Sequence, residues 1–361
     1  MKNFKIGNKG IGQNNPCFII AELSANHGND IDIAIDSIKK AKQAGADAIK
    51  LQTFTPDTIT LDSKRPEFLI DHGTLWDGNF LYDLYKETHL PWDWHEKLFE
   101  VAKEQDIICF SSPFDLTAVD FLEKLNTPAY KIASPEIRDI PLIEKCAQTG
   151  KPIIISTGIA TFSDINLAID TCRNVGNNKI ILLKCTTSYP APIEDANLLT
   201  LHDFVEKFDV IPGLSDHTLG DIAPTVSVAL GGKVIEKHFI IDKSIGGADA
   251  SFSLDFDEFS AMVKSVRNAE KAIGEVTYKL GNDASSLSKL ASRSLFIVKN
   301  VKKGEELTKE NIRSIRPGNG LHPKYYKEVL GKKFIKDFLK GEPLSLDMIE
   351  ENNYENPFCR K

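Results

Sequence analysis

"VIPGLSDHT", residues 210–218, is an apolar run that ends in a hydroxyl, a carboxylate and an imidazole. A buried strand normally gives way to turn residues such as Gly or Asn, so Ser215, Asp216 and His217 need a reason to be there. The next apolar run repeats the arrangement, "VIEKHFI" (234–240) carrying Glu236, Lys237 and His238. Side chains alternate along a strand, which puts Ser215 on one face with His217, and Glu236 with His238.

Working outward, six further runs read as strands: CFIIAELS (17–24), AIKLQTF (48–54), IICFSSPF (107–114), AYKIASPE (129–136), PIIISTG (152–158) and IILLKCTTS (180–188). Most are separated by segments with apolar residues at helical spacing, such as Ile31, Ala34, Ile35, Ile38 and Ala41. Near-continuous apolar strands alternating with helices predict a parallel sheet covered by those helices. Eight of them over roughly 250 residues fit a closed (β/α)8 TIM barrel. A doubly wound open sheet is the alternative, but no G-x-G-x-x-G follows the first strand.

One connection is too long for a simple crossover. Residues 55–95 hold all three tryptophans, and an insertion of this kind at a strand end shapes or covers a site. The barrel is expected over 1–277, a Ser-rich linker over 278–292, a small β-rich domain over 293–350 and a tail over 351–361. Within the small domain, "KKGEELTKENI" (302–312) and "LKGEPLSLDMI" (339–349) form a short internal repeat. Each has a Gly turn, an apolar anchor, and Thr308 or Ser345 placed to cap one helical turn.

Composition excludes some classes. Of 361 residues, 42% are apolar and 26% charged, an ordinary globular balance, and the net charge of -7 argues against nucleic acid as a partner. No run is apolar enough to be a signal peptide or to span a bilayer, so no membrane partner is expected. Six scattered cysteines without a C-x-x-C pair, with Cys17, Cys109 and Cys185 inside apolar runs, read as buried hydrophobes in the reducing cytoplasm.

In a barrel, chemistry gathers at the C-terminal ends of the strands. Here nearly every strand is polar there. Strand one offers Glu22, Ser24, Asn26 and His27, strand two Lys50 and Gln52, and strand three Ser111, Ser112 and Asp115. Strand four carries Lys131, Ser134 and Glu136, strand five Ser156 and Thr157, and strand six Lys184, Thr186, Thr187 and Tyr189. A single buried lysine is ordinarily an ion pair, for instance Lys131 with Glu136, or a snorkelling stem. Lys50, Lys131 and Lys184 on alternate strands, with serines between, read instead as a phosphate or carboxylate site. A Schiff-base lysine is the other functional option. A lone strand-end histidine is usually structural. His217 and His238 on adjacent strands are within reach of one ion, in an open shell that suits Mn²⁺, Mg²⁺ or Co²⁺ acting as a Lewis acid.

The motifs "AELSANH", "KLQTF", "AYKIASPE", "IISTG", "GLSDHT", "EKHF" and "RPGNG" (316–320), in this order, resemble the sialic acid synthase family over about residues 15–350. The resemblance implies a (β/α)8 barrel followed by an antifreeze-like (SAF) domain, in a domain-swapped homodimer. It also implies condensation of phosphoenolpyruvate with an acetamido-sugar aldehyde, with a divalent metal, Mn²⁺ foremost. By the same resemblance His217 and His238 are metal ligands. Lys50, Lys131, Ser134, Ser156 and Ser215 hold phosphoenolpyruvate, together with Ser112 and Thr187. Gln52, Tyr189 and Asp249 match the sugar side, Glu22, Glu136 and Lys131 the catalytic side, and Arg316 an arginine that reaches the substrate N-acetyl group from the partner chain. "GGADASFS" (246–253) and Thr187 depart from the neuraminate pattern of "GPD" and Asn. "GTLWDGNFLYDLY" and "PWDWH" resemble the branch that takes 2,4-diacetamido-2,4,6-trideoxy-altrose, with N-acetylneuraminate or legionaminic acid synthesis as the alternatives.

Overall fold

The computed structural model describes residues 3–71, 73–279 and 282–350, without the side chains of 282–286. The expected tail 351–361 lies outside the described residues. The chain forms two compact units, residues 1–274 and 275–361.

The first unit opens with an antiparallel hairpin, β1 (Phe4–Ile6) and β2 (Lys9–Ile11). Eight parallel strands follow: β3 (Phe18–Glu22), β4 (Ala48–Thr53), β5 (Ile108–Pro113), β6 (Tyr130–Ile132), β7 (Ile153–Ser156), β8 (Ile180–Cys185), β9 (Ile211–Asp216) and β10 (Val234–His238). They close in sequence order, with β10 pairing back onto β3. Each lies inside the run read from the sequence. The strands are apolar on both faces because one face packs inside the closed barrel and the other against the helices.

Alternation sorts the residues into two cores. Phe18, Ile20, Ala48, Phe110, Ile154, Ile181, Leu183, Ile211 and Val234 fill the barrel interior, and Ile6 and Ile11 of the hairpin join that cluster. The opposite parity packs against the helices, as Ile49, Leu51 and Ile235 do on one side and Tyr130, Ile132, Ile155 and Leu182 on the other. The interior is apolar through its lower layers. Two residues further along each strand the same parity delivers Glu22, Lys50, Ser112, Lys131, Ser156, Cys185, Ser215 and Glu236 to the mouth. Gly213 stands where no side chain fits, since a Cβ there would lie 2.5 Å from the Val234 carbonyl and 2.6 Å from Leu183.

The second unit pairs β11 (Ser294–Ile297) with β12 (Ile312–Ile315) around Leu295, Ile297, Leu307, Ile312, Phe334, Phe338 and Leu344. The repeat has a physical basis. Gly304 and Gly341 take positive φ (80° and 97°), and Leu307 and Leu344 are the buried anchors. Glu305 and Glu342 each accept from a backbone N–H three residues back. The capping expectation holds only at Thr308, whose hydroxyl accepts from Glu310 N; Ser345 caps nothing and bonds Asp347 instead. The segment expected as an unpatterned linker carries a helix, Asn282–Ala291, where Leu287, Leu290 and Ala291 recur at helical spacing despite the serines.

Candidate active site

Four charges meet at the mouth of the barrel. Lys50 Nζ lies 2.8 Å from Glu22 Oε2 and 3.6 Å from Glu236 Oε1, and Lys131 Nζ lies 3.3 Å from the same Glu236 oxygen. All four side chains are buried. Lys131 therefore pairs with Glu236, not with Glu136 as the structural reading of the sequence had it. Ser112 Oγ accepts from Lys50 at 3.3 Å, Ser215 Oγ donates to Glu236 at 3.2 Å, and Gln52 Nε2 donates to Glu22 at 2.9 Å. Ser24, at a left-handed φ of 46°, accepts a second bond from Gln52.

The charges compensate, but not evenly. Burial pushes the Glu22 carboxyl up, and Lys50 only partly restores it. Burial also acts on Glu236, yet the two ammonium groups outweigh it and hold that carboxylate below its ordinary range. Lys50, between two carboxylates, is raised despite burial. Lys131 is lowered by burial, which Glu236 does not fully offset. Ser156 Oγ and Glu236 Oε2 are buried with no hydrogen-bond partner, so the pocket floor keeps unused polar capacity. Ser134 Oγ accepts from Gly158 N at 2.9 Å and donates to Cys185 Sγ at 3.4 Å.

Lys184 does not belong to this cluster. It sits one residue out of phase with Leu183 and Cys185, so its stem leaves on the outer face and Nζ bonds the Cys185 carbonyl. Cys185, read from the sequence as a structural hydrophobe, points inward beside Ser134 and 4.0 Å from His217 Nδ1. Parity also explains Asp216 and Lys237, which face outward as a buried ion pair behind the histidines.

The His217 and His238 rings stand 5.2 Å apart, centroid to centroid. His217 Nδ1 lies 2.6 Å from the Thr186 carbonyl, a bond that keeps a proton on Nδ1; burial lowers this imidazole's pKa, but Cys185 and that carbonyl raise it overall, so Nε2 offers a lone pair only in the neutral ring. His238 Nδ1 is buried and unbonded, with Asp249 Oδ2 3.8 Å away. Burial and the neighbouring His217 push the His238 imidazole well below its ordinary pKa, into the neutral form a cation needs. Among the described residues no third His, Cys, Asp or Glu completes a metal-binding group. Two imidazoles with the remaining positions open fit a catalytic ion rather than a structural one.

Above the histidines lies an aromatic wall. Tyr189 packs on His217 at 4.3 Å and on Phe252 at 5.1 Å, and Trp76 of the long insertion packs on Tyr189 at 5.7 Å. Asp249 accepts from Ala25 N, and burial raises its carboxyl. Glu136 lies in the first turn of a short 3-10 helix after β6, Pro135–Arg138; among the described residues its Oε2 is buried without a partner, and burial pushes its pKa up to about 7. Thr187 is exposed, its methyl beside the position a Gly158 Cβ would take. Arg316 follows β12 in the second unit, also exposed.

Of the expected residues, the barrel thus gathers Glu22, Lys50, Gln52, Ser112, Lys131, Ser134, Ser156, Ser215, His217, His238, Tyr189 and Asp249. Glu236, Cys185 and Phe252 were not assigned roles from the sequence. For Glu236 the signal was present: it shares the interior parity of His238.

The NeuB family profile matches residues 37–278 and the SAF domain profile residues 292–350. The pseudaminic acid synthase of Helicobacter pylori is 48% identical over 337 residues, covering 93% of this chain and 99% of its own. That of Campylobacter jejuni subsp. jejuni serotype O:23/36 is 50% identical over 328 residues, covering 91% and 95%. Among solved structures, the N-acetylneuraminic acid synthetase of Leptospira borgpetersenii, crystallised with citrate, superposes with a TM-score of 0.70 at 30% identity, covering 79% of this chain and 95% of that one.

Proposed function

The chain belongs to the NeuB family, and from that membership and the barrel mouth we propose that it condenses phosphoenolpyruvate with 2,4-diacetamido-2,4,6-trideoxy-L-altrose, giving pseudaminic acid and phosphate. The observation that carries the chemistry is the buried Lys50–Glu236–Lys131 cluster, with the Ser156 hydroxyl left unpaired on the strand next to Lys131. Two ammonium groups and the hydroxyls of Ser112, Ser134, Ser156 and Ser215 make a cradle for a small dianion or trianion. Identity of 48–50% with pseudaminic acid synthases supports the choice of sugar.

In this reading, Lys50 and Lys131 hold the carboxylate and phosphate of phosphoenolpyruvate, and Ser156 supplies a further donor. Carbon 3 of the enol attacks the open-chain aldehyde, leaving positive charge at carbon 2. Water adds there, and the tetrahedral intermediate expels phosphate by C–O cleavage. We assign the base for that water to Glu136, whose Oε2 is unengaged among the described residues, rather than to Glu22, which is committed to Lys50 and Gln52. His217 and His238 would hold Mn²⁺, or Mg²⁺ or Co²⁺, which supplies Lewis acidity at the aldehyde oxygen. The proposal extends to a cytoplasmic homodimer in which Arg316 of one protomer serves the other's sugar site. Five buried free cysteines suit a reducing compartment.

The test is a competition, read as relative kcat/KM, between the diacetamido-altrose, its legionaminic precursor and N-acetylmannosamine. Preference for the first by orders of magnitude is expected; comparable turnover of N-acetylmannosamine would overturn the sugar assignment. Phosphoenolpyruvate carrying ¹⁸O in the bridging ester should pass the label to phosphate.

A further inference from the structure

The chain has three tryptophans, and one holds an unspent donor. Trp92 donates its indole N–H to the Phe54 carbonyl at 3.1 Å. Trp76 Nε1 is buried and has no partner among the described residues. An indole N–H is donor-only, so its complement must be an acceptor oxygen. Native interiors rarely leave such a group unpaired, so this one calls for a partner.

The mount is rigid. Asp77 accepts from Gly73 N at 2.8 Å and from Thr74 N at 2.9 Å, and Thr74 Oγ1 accepts from Trp76 N. Asn79 pins the Trp76 carbonyl with both its backbone and side-chain N–H groups. Ile70 and Asn79 close the neck of the loop at 2.9 Å. This tight turn exposes Leu75 and holds the neighbouring indole against Tyr189. Tyr189 in turn lies on His217, so Trp76 stands one ring outward from the histidine pair.

Resting on the proposed reaction, we infer that Trp76 reads the distal acetamide of the sugar: its indole N–H donates to that carbonyl oxygen while the ring packs on the acetamide methyl. The geometry suits the distal group. With the aldehyde at the histidines, three carbon–carbon bonds, roughly 4 Å, lead to carbon 4, and an acetamide adds a similar reach. The indole stands beyond the Tyr189 ring, 5.7 Å from it, with that ring 4.3 Å from His217. An aromatic face with one donor matches an acetamide better than a bare hydroxyl.

Trp76→Phe keeps the ring and removes the donor. Steady-state kinetics would compare the diacetamido sugar with an analogue bearing hydrogen in place of the distal acetamide. The expected result is a loss of about tenfold in kcat/KM for the diacetamido sugar, carried by KM, with the analogue and the KM for phosphoenolpyruvate within about twofold of the parent. Equal loss on both sugars, or none, overturns the inference. Should the variant fold poorly, the indole ¹⁵N–¹H resonance of Trp76 in the parent decides. It should move downfield when the diacetamido sugar binds and stay put with the analogue; no selective movement overturns the assignment. Turnover by the parent with an indifferent Trp76→Phe sinks this inference alone. Failure of the parent to use the diacetamido sugar sinks the substrate reading, and this inference with it.

Discussion

Glu136 shows how burial sets chemistry at the level of one side chain. Burial pushes its pKa up to about 7, so the carboxylate that the proposed role as base requires is populated only near and above neutrality. Activity should therefore fall as pH drops below 7, and Glu136→Gln should lose about 100-fold or more in kcat together with that acidic limb. The linkage runs the opposite way for stability. A carboxyl whose pKa is raised on folding favours the fold below its unfolded pKa, and that advantage is lost as pH rises through the folded value. Glu136→Gln should thus melt above the parent at pH 8, by up to about 3 kcal/mol, and show no such gain at pH 4. The histidines carry the other prediction at this scale. Chelation should abolish turnover and Mn²⁺ should restore it, while His217→Ala and His238→Ala each lose most activity with the barrel still folded. Full turnover in chelator would remove the Lewis-acid role.

At the scale of elements, the strands were legible because parallel strands buried on both faces are written as unbroken apolar runs. What those runs hide is phase. Lys184 read as a site lysine and Cys185 as packing, and the structure exchanges them, because only the interior parity of Ile181 and Leu183 tells which neighbour points in. The hairpin β1–β2 was missed for a related reason. "FKIGNKGI" shows water mostly charge and glycine, and only Ile6 and Ile11 are fully buried in it. Asn282–Ala291 was read as a linker because serine composition masked its helical spacing. Close approach at Gly213 gives a direct test of the barrel wall. Gly213→Ala should cost about 1–3 kcal/mol in a denaturant titration, since the new methyl meets a backbone carbonyl that cannot move aside. An unchanged midpoint would mean the strands can separate there.

For the whole molecule, the division at Gly274 predicts that a chain ending there keeps a folded barrel. Arg316→Ala in the full chain should raise the KM for the sugar far more than for phosphoenolpyruvate, because it removes a charge-assisted contact to one substrate. Equal effects on both would count against that role. The site was legible wherever a polar residue interrupted a strand. Glu236 was visible but unassigned, because the sequence does not say which ammonium groups will reach it. The hairpin has one more consequence. With Ile6 and Ile11 packed into the interior beneath the apolar layers, the barrel has a floor, and everything that enters must leave by the same door. Traffic through a single door forms a queue. If phosphoenolpyruvate binds at the lysines as proposed, it has to go in before the sugar, which would otherwise stand in its way, and the nine-carbon product has to clear before phosphoenolpyruvate can follow again. Enzyme preloaded with the sugar should then take up a phosphoenolpyruvate analogue far more slowly in stopped-flow binding than free enzyme does, and equal rates would show a second way in.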